Sequence, residues 1–387
     1  MLTDQDITEL TDLRRALHRR PEVSGEEKRT ARTIALELAK LSPTHLLTGI
    51  GGHGVAAVFG SGAGGPCVMF RAELDALPIT EIAAHGWPSG AAGKAHLCGH
   101  DGHMVMLLGL GRLIARRPPA VGRIVLLFQP AEETGAGARA VVSDPAFAQL
   151  DPDWAFAIHN LPGLPLGHVA TRAGLINCAS EGLEIHLSGK TAHAAQPETG
   201  LSPAGAVAQL LGGLTALTAG APAAGETPDD FELVTLTHAR IGAPTFGVAP
   251  GEAVINATLR CASDPAMAAL EAKARALVQS VASAAGLEAV IRVVEPFLAS
   301  INHPQAVAIA QDALRALGLS QGESGVPMRA SEDFGLFGAH AKAAMLCLGA
   351  GEAHPALHNP DYDFPDALIP IGTAIFARIM DDILSRA

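Results

Sequence analysis

The sequence is poor in aromatic side chains: twelve Phe, two Trp and one Tyr make up 4% of 387 residues. A core of this size must therefore be built mostly from Ala, Val, Leu and Ile. Paired cysteines are missing as well. Cys67, Cys98, Cys178, Cys261 and Cys347 are far apart and form no C-x-x-C step, which excludes a disulfide framework, a zinc ribbon and a thioredoxin-type centre. Positive charge is in deficit, with 27 Lys and Arg against 39 Asp and Glu and a net charge of −12. No basic face is left to release phosphate counterions, so a nucleic-acid binder is excluded, although a small anionic substrate needs only one or two local cations. No apolar run reaches the ~18–20 residues that span a bilayer. The opening Met1-Leu2-Thr3-Asp4-Gln5-Asp6 shows neither a basic nor an apolar leader segment. The expectation is a soluble protein of a reducing, cytoplasmic compartment.

What is present is ample apolar material, 48% of residues, and an excess of histidine, 16 in all. The length suits two domains, or one large domain with an insertion. Asp4 or Asp6 caps a first helix whose Ile7, Leu10, Leu13 and Leu17 recur at helical spacing until Pro21, and Ser24 starts a second that runs to about Lys40. Apolar runs then alternate with helical ones: strands at 54–59, 67–70, 124–128 and 154–158, helices at 99–116 and 135–142. That alternation predicts a mainly parallel sheet with helices on both faces, whose functional groups gather past the carboxyl ends of the strands.

The pattern changes after about Asn177. Leu183, Ile185 and Leu187 alternate with polar residues, and the order strand, helix, strand, strand, helix, strand (181–187, 202–218, 232–237, 253–259, 264–285, 289–294) is the split βαβ unit of a ferredoxin-like fold. Its Ala/Gly/Pro-rich stretch 219–228 is the expected mobile loop. From about Pro296 the first style resumes. The fold class expected is α/β, a mainly parallel-sheet metallohydrolase domain at 1–175 and 296–387 interrupted by an inserted α+β ferredoxin-like domain at 176–295.

Chemistry-bearing residues cluster at the ends of the apolar runs. The densest group is His96-Leu97-Cys98-Gly99-His100-Asp101-Gly102-His103, just before a helix; thiolate and imidazole are borderline-soft ligands for Zn, Mn, Co or Ni. Gln129-Pro130-Ala131-Glu132-Glu133 follows a strand, where adjacent buried carboxylates need a compensating cation. His159 ends another strand, His354 and His358 follow a fourth, and Glu73 and Asp75 follow the run Cys67–Phe70. Five candidate ligands exceed what one hydrolytic metal needs, so two metals about 3.5–4 Å apart fit better. Asp75 reads as a carboxylate that orients a metal-bound His. Two other readings of the same residues are a thiol enzyme, with Cys98 as nucleophile and His100 or His103 as base, and a metal-binding protein without catalysis.

Several segments together carry a resemblance: His18-Arg19-Arg20-Pro21-Glu22, RAELDALP at 71–78, HLCGHDGH at 96–103, QPAEET at 129–134, AIHN at 157–160, GKTAHAAQP at 189–197, SEDF at 331–334 and LHNPDYDF at 357–364. In order, from about residue 18 to 364, they resemble the M20-type aminoacylase/carboxypeptidase family. More narrowly they resemble its amidohydrolase branch of hippurate hydrolases, N-acyl-amino-acid amidohydrolases and auxin-conjugate hydrolases. The resemblance implies that Cys98 bridges two divalent metal ions, with His100 and His159 completing one and Glu133 and His358 the other. It implies Glu132 as general base and then acid toward a metal-activated water, Asp75 behind a metal ligand, and His193 reaching from a lid domain, across a homodimer, to the oxyanion. The implied reaction cleaves N-acyl or N-aroyl amino acids to a carboxylic acid and a free amino acid, with a dipeptidase or carboxypeptidase on the same site as the alternative. One position departs from the pattern: Gly247 stands where the family carries an Asn that holds the substrate carboxylate, which leaves Arg260 or Asn256 on the following strand for that task.

Overall fold

Four apolar runs, Arg123–Gln129, Cys67–Glu73, Trp154–Leu161 and Lys342–Gly349, lie side by side as parallel strands. They are buried along nearly their whole length, which is why they read as continuous apolar runs rather than as alternating ones. In this computed structural model, which describes residues 1–60, 64–82, 85–218 and 227–385, the sheet continues antiparallel on one side through Gly54–Gly60 and His45–Ile50. On the other side it ends in the short strands Val169–Ala170 and Gln321–Gly322. The strand His45–Ile50 escaped the sequence reading because it is only partly buried and has no clean alternation.

The mainly parallel sheet expected from the sequence is therefore present, and its helices fit with two local corrections. The cap of helix Asp4–His18 is Thr3, whose hydroxyl accepts the Asp6 N–H while the Asp6 carboxylate accepts the Thr3 N–H; Asp6 is the reciprocal partner, not the cap. The second helix runs Lys28–Ala39 and is not capped by Ser24, whose hydroxyl donates to Asp75 Oδ2 at 2.7 Å instead. Helix His100–Arg116 packs on Leu368–Leu384 and on Asp4–His18. With so few aromatic residues, the core makes close use of them: Phe70 stacks on Phe156 (centroids 5.9 Å apart) and meets Phe376 edge-on at 5.1 Å.

The chain divides into two units: Met1–Ile176 with Ser300–Pro327 and Glu332–Ala387, and Asn177–Ala299 with Met328–Ser331. The smaller unit has the sheet order Glu232–Ile241, Glu252–Cys261, Ala179–Ser188, Glu288–Phe297, antiparallel throughout, with helices Ala204–Thr215 and Asp264–Ala284 between the strands in sequence. That is the ferredoxin-like order. One face is buried through Leu183, Ile185, Leu187, Ile255, Ala257 and Leu259, the alternation seen in the sequence. A separate two-stranded ladder pairs Val248 with His193 and Ala249 with Ala192. Residues 219–226, most of the stretch read as a mobile loop, lie outside the described residues. No helix among the described residues is long and apolar enough to cross a membrane.

Candidate active site

Because the four central strands are parallel, their carboxyl ends all face one way, and each delivers a candidate side chain. Asp75 follows Cys67–Glu73, Glu132 and Glu133 follow Arg123–Gln129, His159 sits near the end of Trp154–Leu161, and His358 lies on the loop after Lys342–Gly349. Cys98 and His100 flank Gly99, which starts helix His100–Arg116 in the left-handed region at φ +88°. No other residue fits there: a Cβ would lie 2.2 Å from Asn160 Nδ2 and 2.7 Å from the Tyr362 hydroxyl oxygen. Two non-glycine residues beside the site, Ala131 (φ +48°) and His358 (φ +65°), are held in the same sparse region. Their backbone N–H groups donate to Glu27 Oε1 and to the Leu97 carbonyl, each at 2.8 Å.

The donor atoms converge. Cys98 Sγ lies 3.4 Å from His159 Nε2, His100 Nε2 lies 3.8 Å from Glu133 Oε1 and 3.7 Å from Glu132 Oε2, and His358 Nε2 lies 3.6 Å from Glu133 Oε2. Atoms sharing one tetrahedral ion with bonds of about 2.0–2.3 Å stand about 3.3–3.8 Å apart, the separation shown by Cys98 with His159 and by Glu133 with His358. Two overlapping sets, Cys98–His100–His159 and Cys98–Glu133–His358, each fit within 4.8 Å and share the sulfur. His100 Nε2 and Glu133 Oε1 are buried without a hydrogen-bond partner, a costly arrangement unless a cation sits among them. The residues present therefore fit a pair of divalent ions.

The surroundings orient these atoms. His100 Nδ1 donates to the Asp75 backbone carbonyl at 2.9 Å and His159 Nδ1 to the Asn160 carbonyl at 2.7 Å, so each ring turns its Nε2 toward the cluster. Asp75 thus holds His100 through its carbonyl, while its carboxylate accepts the Glu133 N–H at 3.0 Å. Behind Glu132 lies a buried hub that sequence reasoning did not assemble: Arg71 bonds Glu73, Glu332 (2.9 Å), Asp333 (2.8 Å) and Gln129 (2.9 Å). Only the SEDF segment hinted at it, since its partners lie about 260 positions from Arg71.

Electrostatics follow from this crowding of carboxylates. Burial, with Glu332, Glu133 and Asp333 close by, pushes the Glu132 carboxyl well above the usual range, and Glu133 rises to about 7 chiefly by burial. Burial and the Glu133 and Glu132 charges also drive the Cys98 thiol well up, which disfavours a free thiolate nucleophile. Burial alone would lower His100, yet Asp75, Glu73 and Glu133 raise it to about 10; at His159 burial, joined by the His103 and His100 rings, outweighs Glu73 and pulls it to about 3. His100 Nε2 therefore sits where the local field calls for positive charge, from a proton or a metal.

The remaining candidates belong to the smaller unit. His193 is exposed, and its Nδ1 accepts the Ala195 N–H at 3.1 Å, which leaves Nε2 as the N–H. Asn256 and Arg260 project from the same half-exposed face of Glu252–Cys261. Asn256 Oδ1 is buried without a partner, and Arg260 donates to the Arg329 carbonyl and the Ser331 hydroxyl, each at 2.9 Å. Burial lowers the Arg260 pKa, and no carboxylate among the described residues pairs with it. Gly247 has open space where a Cβ would lie. Of the other histidines in HLCGHDGH, His103 has both ring nitrogens bonded, to Glu73 and Asn160, whereas His96 is buried with neither bonded.

Comparison with known proteins agrees with this geometry. The model of peptidase family M20/M25/M40 matches residues 69–382. The chain is 30% identical to an N-acetyl-L-cysteine deacetylase of Bacillus subtilis over 93% of its length and 85% of that protein. It is 29% identical to a hippurate hydrolase of Campylobacter jejuni, over 96% of its length and 95% of that protein. Among solved structures it resembles a Bacillus subtilis dinuclear metal-binding peptidase of the M20 family, with a TM-score of 0.81, 26% identity and complete coverage of both chains.

Proposed function

The chain belongs to peptidase family M20/M25/M40, a metal-dependent hydrolase of amide bonds, and on that premise we propose that it cleaves N-acyl or N-aroyl amino acids to a carboxylic acid and a free amino acid. The observation that carries the reading is the pair of donor sets sharing Cys98, with buried, unpartnered His100 Nε2 and Glu133 Oε1 among them. Cys98, His100 and His159 would hold one divalent ion, and Cys98, Glu133 and His358 a second; donors of this kind suit Zn, Mn, Co or Ni. When bound, the ions supply Lewis acidity, acidifying water and polarising the scissile carbonyl.

The chain's own residues divide the remaining work. Glu132, buried after a strand end with its carboxylate 3.7 Å from His100 Nε2, takes a proton from water at its carboxylate and returns it to the leaving nitrogen. Asp75 fixes His100 and Glu133. His193 offers its Nε2–H to the developing oxyanion. Arg260, a half-buried cation without a carboxylate partner, with Asn256 on the same face, receives the substrate carboxylate in place of the Asn that Gly247 replaces. The names of the deacetylase and hippurate hydrolase relatives support this substrate class. The outer edge of strand Glu232–Ile241, which pairs with no strand among the described residues, supports a homodimer through the smaller unit, and we propose a cytoplasmic location for it.

The test is metal analysis and a turnover panel of hippurate, N-acetyl amino acids and dipeptides on wild type and Glu132→Ala. Metal-dependent release of amino acid from the acylated substrates is expected, falling roughly 10³-fold in Glu132→Ala with metal content unchanged. Absence of metal-dependent hydrolysis across the panel would falsify the reading, and turnover confined to dipeptides would replace it with a dipeptidase or carboxypeptidase.

A further inference from the structure

Three motif residues have no task in that chemistry, yet they are buried and joined to one another: His103, Asn160 and Tyr362, the only tyrosine in the chain. Asn160 is the node. Its backbone N–H donates to His103 Nε2 at 3.1 Å, and its backbone carbonyl accepts the His159 Nδ1–H at 2.7 Å. Its side-chain Nδ2 donates to the Cys98 carbonyl at 2.7 Å and approaches His103 Nε2 at 3.1 Å, while its Oδ1 accepts the Tyr362 hydroxyl at 2.5 Å. Because His103 Nε2 accepts, its Nδ1 is the donor, to Glu73 Oε2 at 2.6 Å, and Glu73 is bonded in turn to Arg71.

One side chain and its peptide thus touch three of the loops that bring donors together. Asn160 binds the backbone of Cys98, sets the ring of the adjacent His159, and grips Tyr362, four residues beyond His358 on the same loop. The left-handed Gly99 exists in this setting: it leaves room for the Asn160 amide and the Tyr362 hydroxyl between Cys98 and His100. His358 is held in its own left-handed conformation by the Leu97 carbonyl, next to Cys98. A buried polar network in which every member is satisfied specifies one arrangement of the backbone, and loss of one member leaves the others unpaired.

From this geometry we infer that Asn160, with Tyr362 and His103, is a positioning node that collects the Cys98, His159 and His358 loops before a metal arrives, so that it sets metal affinity and the geometry of the sulfur bridge. The inference rests on the ligand assignment proposed above. It extends to residues that touch no ion and no substrate: Tyr362 acts through Asn160, and Asn160 through Cys98 and His159. Removing partners that orient metal ligands weakens metal binding by about 10–100-fold in known sites.

Tyr362→Phe is the sharpest variant, since it deletes one hydroxyl and keeps the ring in its pocket; Asn160→Ala is the second. Metal-free protein is titrated with Co²⁺ against a competing chelator, the thiolate-to-cobalt charge-transfer band is recorded, and the thermal midpoint is measured without metal. The expected result is Co²⁺ affinity about tenfold weaker in Tyr362→Phe and weaker still in Asn160→Ala, with a shifted or weakened sulfur band and a kcat that falls while KM holds. If both variants lower the metal-free midpoint but keep wild-type affinity and an unchanged band, the node is packing alone and the inference is overturned. Cys98→Ser separates the two levels: if it keeps both ions, the ligand assignment fails, whereas if it loses metal while Tyr362→Phe does not, only the positioning node fails.

Discussion

Two histidine clusters lie in the larger unit, and they follow opposite hydrogen-bonding rules. In the first, His100 and His159 each donate from Nδ1 to a neutral backbone carbonyl, and their Nε2 atoms face sulfur and carboxylates. In the second, His18 ends on carboxylates at both nitrogens, Asp101 Oδ2 at 2.9 Å and Glu81 Oε1 at 3.0 Å. Proximity does not separate them, for His18, His85 and Asp363 also place three donor atoms within 4.8 Å. Partner chemistry does. A ring tied to a carbonyl on one side keeps a lone pair free on the other, whereas a ring between two carboxylates needs both protons and becomes a fixed cation. Arg14 joins that cation by bonding Asp101 and Asp363, so the second cluster is an ion-pair network whose carboxylates already face protein cations.

The largest effects should come from breaking the first cluster. His159→Ala removes a nitrogen that nothing nearby can replace, and it should lower bound metal and reduce turnover on the order of 10³-fold, several kcal/mol of transition-state stabilisation. His18→Gln, assayed beside it by metal analysis and kcat, should keep wild-type metal content. Equal metal loss in both variants would erase the distinction between the clusters.

His18→Gln should instead change stability, in a pH window set by the histidine itself. Burial would lower the His18 pKa, but the bonds and charges of Asp101 and Glu81 raise it to about 9, above the ordinary 6.5. A raised folded-state pKa means that the charged ring's contribution is complete below pH 6.5 and is lost as pH climbs through 9. At pH 6 the variant should therefore be less stable than wild type by about 3.5 kcal/mol at most, from 2.5 pKa units at about 1.4 kcal/mol each, and the gap should narrow steadily toward pH 9. Urea denaturation at pH 6, 7.5 and 9 measures it. A gap independent of pH would show that the ring is held by packing rather than by charge.

The same contrast explains how much was legible in the sequence. The split of the chain into a parallel-sheet unit and a ferredoxin-like insertion was visible because burial on two faces and burial on one face leave different hydrophobic periods, as in Arg123–Gln129 and Ala179–Ser188. Glu133, His159 and His358 were visible because each stands at or after the end of an apolar run, and Cys98 and His100 because they crowd together just before a helix. The three histidines of HLCGHDGH, however, meet three different fates: His96 without partners, His100 with one free nitrogen, His103 bonded at both. Their spacing cannot distinguish them, since the deciding partners are Asp75, Glu73 and Asn160 from other strands. Arg71 is a similar case, with Glu332 and Asp333 arriving from the far end of the chain. Pairings across the fold leave no local period to read.

The smallest expected effect sharpens the second cluster from its rim. Trp87 lies between the Arg15 guanidinium, 3.6 Å from its ring centre, and the His85 ring, stacked at 5.1 Å and 19°, and it donates its indole N–H to Asp363 Oδ2 at 3.0 Å. His85 Nε2 in turn lies 2.8 Å from Glu81 Oε1, the carboxylate that clamps His18. Were this a metal site, His85 would be an indispensable ligand; as the rim of an ion-pair network it is one contact among several. His85→Ala should therefore cost about 0.5–1.5 kcal/mol, the range of an aromatic stack or a partly exposed cation–ring contact, with metal content and kcat unchanged. The indole emission of Trp87 should report the lost stack in the folded protein before any unfolding begins. A drop in bound metal on the scale of His159→Ala would move His85 and His18 into a second metal centre, and the rule drawn from their hydrogen bonds would not hold.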